Sequence, residues 1–343
     1  MKVLIVYDFS GPKYHRLILP MSLMNGVETR VVSNITEEDA EWCDILFYNR
    51  IVAGTSLANI CQLRKRYGFK IVVDFDDHWR LSPDHYLYQI YNNTRASELM
   101  SINISEADAI TVTHERLADE VFSLNRNVHI LPNAIPRYGQ FITERERCED
   151  IRIFWSGGIT HKKDIELLRN PMNRIASLNG IKMVMSGYNK KSTEYHAMAS
   201  AFTNGGKIKS MLIDGVSVDK YYSHYAHCDI ALVPLCDTVF NSYKSNLKLL
   251  EAANASCPVI VSHVNPYLGF PDDLVNYVHS KKDWYLNIKK LIADKQLRHE
   301  QGIALHNYCR QHFNFEKINE QRKQLFYAIA GEQKEVRELQ EAN

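Results

Sequence analysis

The run D-I-A-L-V-P-L (Asp229–Leu235), followed after a polar loop by Y-K-S-N-L-K-L-L-E-A-A-N (Tyr243–Asn254) and then by P-V-I-V (Pro258–Val261), decides how this chain is read. The outer pieces are short, apolar and rich in β-branched residues; the middle piece is long enough for a helix and carries apolar residues at helical spacing. Strand, helix and strand in that order make a crossover unit, whose strands run parallel and are buried on both faces. Working outward, the same rhythm appears upstream at Ile151–Trp155, Lys182–Met185 and Ile208–Ile213.

The first half of the chain repeats the pattern without repeating the sequence. Strands are expected at Val3–Tyr7, Thr29–Val32, Ile45–Tyr48, Lys70–Asp74, Ala109–Val112 and Val128–Leu131, with helices over Tyr14–Met24 and over Leu57–Tyr67, where Gly68 stops the second. Between the halves, after L-P-N-A-I-P (Leu131–Pro136), the composition turns polar through E-R-E-R-C-E-D (Glu144–Asp150), as an interdomain linker does. With 343 residues, two cores are expected. Residues 1–142 are read as one Rossmann-like α/β domain, 143–314 as a second, and 315–343 as a helical tail with a solvated face.

Composition narrows the function class. Apolar residues at 45% and charged residues at 24% exclude a disordered or fibrous chain. A net charge of +1 supplies no global attraction to polyanions, so a nucleic-acid or membrane role needs a local basic patch. No apolar stretch reaches the roughly 18 residues of a membrane span. The start, Met1–Asp8, suits a buried strand and lacks a signal peptide's cleavage site. The seven cysteines form no C-x-x-C pair or zinc spacing and are odd in number, so reduced thiols in the cytoplasm are expected, Cys257 serving as a small core residue.

Ligands of open parallel sheets bind beyond the carboxyl ends of the strands, so the residues following each strand are the candidates. After the first strand, D-F-S-G-P-K-Y-H-R (Asp8–Arg16) is no dinucleotide fingerprint, but Gly11 brings backbone close to a sugar or phosphate if the turn is functional rather than ordinary. After the fourth, D-F-D-D-H-W (Asp74–Trp79) crowds Asp74, Asp76, Asp77 and His78 into one turn, with Asp74 and Asp76 on one side. Such crowding needs a cation, an arginine or sugar hydroxyls to offset it. Asp76, Asp77 and His78 are the catalytic candidates, against the alternative of one helix cap and solvated acids.

The second half opens with F-W-S-G-G-I-T-H-K-K-D (Phe154–Asp164): a strand, a small-residue turn and a basic helix start, suited to a phosphate through Gly157, Gly158, His161 and Lys163. The start of the helix predicted at Tyr243–Asn254 is a second anion site, formed by Lys244, Ser245, Asn246, Leu247 and Lys248. Glu251 follows Lys244 by seven residues and Lys248 by three, on roughly the same face, within reach of a nucleotide's ribose. Solvated lysines and an exposed helix glutamate are the plain alternatives. Tyr86, Tyr88 and Tyr91 beside Trp79 stack on a sugar or base, or else belong to the core.

The stretch Asn241–Ser262 resembles the donor-site helix of the glycosyltransferase family 4 group, in which a loop, a helix ending near a glutamate, a small residue and P-V-I form the nucleotide-sugar pocket. Val128–Pro136 looks like that family's last N-domain strand and turn, and Trp155–Asp164 like its G-S-x-x-H-x-x-D variant, so the resemblance spans both domains. It implies a GT-B architecture, two Rossmann-like domains facing each other across a cleft that closes on the substrates. It further implies transfer of a sugar from a nucleoside-diphosphate sugar to an acceptor hydroxyl, with retention, no essential metal and no cofactor beyond the sugar nucleotide as co-substrate. By it, Glu251 binds the donor ribose, Lys163 and the backbone of Ser245–Leu247 the diphosphate, and Asp74–His78 faces the transferred sugar or the acceptor. Two positions depart from the family: the E-x7-E motif needs glutamate at 243, where Tyr243 stands, and the arginine before the basic helix is Gly158.

Three other functions fit parts of the pattern. The acceptor is a modified nucleic-acid base in one, as for some phage-encoded transferases. In another the chain is a catalytically silent sugar-nucleotide or glycan-binding module, and in the last a sugar-nucleotide epimerase. Salt-dependent binding, donor turnover and product analysis without acceptor discriminate among them.

Overall fold

A computed structural model describes residues 1–7, 13–52, 55–83, 85–137 and 148–341, with side chains as far as residue 331. Gly11 and the expected domain boundary at 142/143 lie outside the described residues. The chain divides into two compact units: Met1–Asn133 with Tyr243–Ser245 and Phe315–Asn343, and Ala134–Ser242 with Asn246–Asn314.

The first unit is built on strands β1 (Lys2–Val6), β2 (Glu28–Val32), β3 (Ile45–Asn49), β4 (Lys70–Phe75), β5 (Ala109–Val112) and β6 (Val128–Ile130), all parallel and ordered β2-β1-β3-β4-β5-β6. Alternate residues feed two apolar layers. Leu4, Leu46, Tyr48, Ile71, Val73 and Phe75 face one way, and Val3, Ile5, Ile45, Phe47 and Val72 the other. This double burial is why the strands read as continuous apolar runs rather than alternating ones. The helix Phe315–Glu341 completes the second layer with Phe326, Ile329 and Ala330; Phe326 packs edge-on against Phe47 at 5.0 Å, and Asn319 donates to the Pro20 carbonyl at 2.8 Å. The helix Leu57–Tyr67 ends as expected at Gly68, whose φ of 75° closes it.

The second unit carries β7 (Ile151–Ser156), β8 (Ile181–Tyr188), β9 (Ser210–Asp214), β10 (Ile230–Val233), β11 (Val259–Ser262) and β12 (Asn276–Val278), again all parallel, in the order β12-β11-β10-β7-β8-β9. Counted from its own first strand this is 3-2-1-4-5-6, the doubly wound order whose switch point falls between β7 and β10. In the first sheet the order reverses between β1 and β3.

The crossover that decided the sequence reading is present, with two differences. The helix between β10 and β11 runs Leu247–Asn254 rather than from Tyr243, because Asn241–Tyr243 form a separate 3-10 turn. The short strand β12 carries an Asn and a Tyr and gave no strand signal. All seven cysteines are free thiols, and Cys257 is a fully buried core residue. Among the described residues no helix is long and apolar enough to cross a membrane.

Candidate functional site

In the first unit the acid-rich turn follows β4 and is neutralised by its neighbours. Asp74, 1% exposed, accepts from Arg16 at 2.7 Å, from Thr111 Oγ1 at 2.7 Å and from Asn49 Nδ2 at 3.1 Å. Arg16 also donates to the Leu131 carbonyl and to Asn133 Oδ1, so a buried cation ties the ends of β4 and β6 together. Asn49 reaches Asp76 as well, at 3.0 Å, so Asp74 and Asp76 do lie on one side of the chain. Arg50, the residue after β3, donates to Asp76 at 2.8 Å and to Asp77 at 2.9 Å. Burial works to raise the Asp76 carboxyl, but Arg50 and Asn49 outweigh it and hold it below the usual range. The offsetting groups that the acid cluster demanded are thus Arg16 and Arg50.

His78 behaves differently. Its ring is 7% exposed, neither nitrogen has a hydrogen-bond partner, and the nearest acid, Glu120, is 3.7 Å away. Burial lowers its pKa, so the imidazole is neutral at physiological pH. It stacks face to face on Tyr243, with centroids 4.2 Å apart and planes 10° apart. Tyr243 in turn donates to Glu120 at 3.2 Å, offers its carbonyl to His114 Nε2 at 3.0 Å and lies beneath the Arg116 guanidinium. The residue standing where the family motif has its first glutamate is therefore fixed by side chains of the first unit. Ser245, in the same three-residue segment, accepts from Asn133 at 2.8 Å, and Lys244 lies between them, outside the helix.

In the second unit the turn after β7 sits at the switch point. A Cβ on Gly157 would meet the Trp155 ring at 2.7 and 2.9 Å and Lys248 Nζ at 3.1 Å. Gly187, with φ 88°, comes so close that a Cβ there would lie 2.8 Å from the Gly157 carbonyl oxygen. Glycine at both positions lets two backbones touch beneath an ammonium group. Lys248 donates to the Ser156 carbonyl. Beyond Gly158 the chain makes a 3-10 turn, Ile159–His161, and a short helix, Lys162–Glu166. Asp164, 4% exposed, fixes His161 Nδ1 at 2.7 Å and accepts the Cys236 N–H at 2.8 Å, joining the loops after β7 and β10. Lys163 is exposed on this segment.

The helix Leu247–Asn254 starts at Asn246 without a side-chain cap. Three residues past Lys248, Glu251 is only 3% exposed; its carboxyl oxygens accept from Tyr221 and, at 3.0 Å, from Tyr225. Burial pushes this carboxyl up to about 8. Sequence reasoning placed Glu251 on an accessible face and missed both tyrosines. Their only signal was the cluster Tyr221, Tyr222 and Tyr225, which also contributes the Tyr222 hydroxyl to the Glu251 carbonyl at 3.0 Å.

Of the expected site residues, the structure brings Gly157, Lys248 and Glu251 onto one end of the second sheet. His161 and Lys163 continue the same loop, and Asp76, Asp77 and His78 gather at the end of the first sheet. Among the described residues no group of three His, Cys, Asp or Glu side chains is arranged to hold a metal ion.

No protein-family model matches this sequence, and no curated protein does. Solved structures match over nearly the whole chain. Sucrose-phosphate synthase from Thermosynechococcus elongatus aligns at 12% identity and a TM-score of 0.68, covering 96% of this chain and 99% of that one. Anabaena HepE in complex with UDP-glucose aligns at 12% identity and 0.67, covering 96% and 100%. An alpha-glucosyltransferase in complex with UDP and a 13-mer DNA containing an HMU base aligns at 14% and 0.66, covering 95% and 99%. With two six-stranded parallel sheets wrapped by helices, the chain has the GT-B fold, that of two-domain Rossmann-like glycosyltransferases.

Proposed function

We propose that the protein is a glycosyltransferase that moves a sugar from a nucleoside-diphosphate sugar to an acceptor hydroxyl. The observation that carries this reading is the second unit's switch point, where a backbone turn that only glycine fits lies against Lys248, three residues before a buried carboxyl, Glu251. A diphosphate there meets the Gly157–Gly158 backbone, Lys163 and Lys248. The uncapped helix start at Asn246–Leu247 adds N–H groups. The ribose hydroxyls reach Glu251 by taking the place of the Tyr221 hydroxyl, keeping the carboxyl hydrogen-bonded throughout.

Chemically, the bond from the anomeric carbon to the diphosphate oxygen breaks with its electron pair leaving on the diphosphate, and the acceptor oxygen bonds to that carbon. The growing negative charge is met by fixed lysines and backbone N–H groups, which need no metal. Retention follows if the acceptor attacks from the leaving-group face and passes its proton to the departing phosphate oxygen. In the first unit, Asp77 and His78, whose ring nitrogens make no hydrogen bond, bind hydroxyls of the transferred sugar or the acceptor, and Asp76, locked by Arg50 and Asn49, holds the turn. The cytoplasm, where nucleotide sugars are made, is the proposed compartment.

A second reading keeps the enzyme class and makes the acceptor a modified DNA base, favoured by the likeness to the DNA-bound alpha-glucosyltransferase. A third, a silent sugar-nucleotide-binding module, is favoured by Tyr243 standing at the motif glutamate. A thermal-shift series with nucleoside diphosphates, beginning with UDP, and their sugars tests the main reading, because a ligand of the native state raises the melting temperature. Stabilisation by one nucleotide, weakened in Glu251→Gln, together with slow hydrolysis of its sugar, is expected. Stabilisation without any turnover supports the silent module, and no shift with any nucleotide sinks all three.

A further inference from the structure

Immediately beyond the acid-rich turn, the first unit carries a surface pocket lined by Leu81, Tyr88, Tyr91, Asn92, Arg95 and Glu98, with Ser97 at its wall. The helix that supplies its tyrosines, Tyr88–Thr94, has no buried residue. Burial separates the aromatic stripe into two parts. Trp79 is 1% exposed and belongs to the core, whereas Tyr86 is 57% and Ile90 56% exposed. Between them, Tyr88 and Tyr91 are half-buried: Tyr91 packs one side against the core, and both line the pocket.

The pocket is mechanically tied to the candidate site. Ser97 donates to the Trp79 carbonyl at 2.7 Å, and Trp79 Nε1 donates to Ser101 at 2.9 Å, so the helix Ala96–Glu106 is fastened to the residue that follows His78. Tyr91 lies within electrostatic reach of Arg50, and Tyr86 within reach of Tyr91, Asp77 and Arg50. Arg95 joins the two helices in a left-handed conformation, φ 53°, that a side-chain-bearing residue adopts at a cost, and its guanidinium is paired with Glu98.

We propose that this pocket binds a neutral carbohydrate, as the subsite for the part of an acceptor glycan remote from the reacting hydroxyl. The inference rests on the transferase reading. Aromatic side chains offer faces to the C–H surface of a pyranose, and Asn92, Arg95 and Glu98 offer planar donors and acceptors to its hydroxyls. The charge pattern disfavours a nucleic-acid strand: among the described lining residues the cation is Arg95, paired with Glu98, and that carboxylate repels phosphates.

The test uses the full chain and a panel of fluorescently labelled neutral di- to tetrasaccharides of glucose, galactose, mannose and N-acetylglucosamine, with a single-stranded 13-mer oligonucleotide beside them. At least one oligosaccharide is expected to bind, and Tyr88→Ala, at a half-buried position, and Asn92→Ala, at an exposed one, each to weaken it by about tenfold or more, with Asn92→Ala keeping the parent melting temperature. Binding equally tight in both variants overturns the proposal, as does absence of binding by every oligosaccharide. Oligonucleotide binding lost in Tyr88→Ala, with no oligosaccharide bound, assigns the pocket to nucleic acid instead. The nucleotide thermal shift is read separately on the parent protein, so failure of the donor reading is told apart from failure of this one.

Discussion

The two strand-end sites solve opposite electrostatic problems. The first sheet gathers three carboxylates and must bring cations to them; Arg16 and Arg50 are locked in place, and the cluster is internally satisfied. The second sheet gathers glycine backbone and lysines; beside the loop-joining Asp164 it holds Glu251, buried among tyrosine hydroxyls. In the first cluster the charges offset one another; in the second, cationic side chains lie against backbone and the Glu251 carboxyl is met by neutral hydroxyls. The contrast teaches that the densest run of charged residues in a sequence marks scaffold as readily as chemistry.

The comparison breaks most visibly at Arg16. Replacing it with Met leaves Asp74 buried with only neutral donors, and a broken buried pair costs about 3–5 kcal/mol. Chemical denaturation of Arg16→Met should show a loss of that size; a loss under about 1 kcal/mol would mean that the Arg16–Asp74 pair is dispensable to the first unit. On the other side, Gly187→Ala combines a left-handed backbone with a collision against the Gly157 carbonyl. It should cost about 2–4 kcal/mol and weaken nucleotide binding, because the turn it displaces is the one under Lys248. Retained stability with retained binding would show the close approach of the two glycines to be dispensable.

The Glu251 carboxyl sharpens the contrast through pH. Its folded pKa, about 8, lies above the ordinary 4.5, so the native state holds the proton more tightly than the unfolded one. That advantage is complete below 4.5, is lost as pH rises, and is gone above 8. Glu251→Gln, which has no proton to lose, should be more stable than the parent by about 3 kcal/mol at pH 7 and up to about 5 kcal/mol above pH 8, with the difference vanishing near pH 4.5. Urea unfolding at pH 5 and pH 8 checks the trend. A gap that does not widen with pH would mean that the carboxyl is ionised in the folded protein.

These expectations also mark how far the sequence could be read. Ten of the twelve strands among the described residues, excepting β9 and β12, announced themselves at nearly their observed positions; the interior ones did so because parallel strands buried on both faces need uninterrupted apolar, β-branched residues. β9, Ser210–Asp214, was expected two residues early because it is an edge strand with alternate residues exposed, and β12 is too short and polar for any pattern. At the site, Gly157 and the acid turn were legible from their position after a strand. Arg50 was legible by the same rule, since it directly follows β3, the neighbour of β4, but an isolated arginine is unremarkable until the pairing of strands is known. Arg16, in the middle of a helical turn, and the tyrosines around Glu251 become neighbours only through the fold.

The smallest effect on stability falls where the largest effect on function is expected. Lys248 is half-buried, donates to the Ser156 carbonyl and lies 5.7 Å from the centre of the Trp155 ring, so its stem packs while its ammonium sits beside the glycine turn. Lys248→Met keeps the packing and removes the hydrogen bond to the Ser156 carbonyl, which should change stability by about 1 kcal/mol. The same substitution removes a charge-assisted contact to a bound diphosphate, which should raise its Kd by about tenfold or more. Measuring both quantities on one variant separates a lysine that supports the turn from one that waits for an anion. A large stability loss with unchanged nucleotide affinity would move Lys248 to the scaffold side of the comparison, beside Arg16.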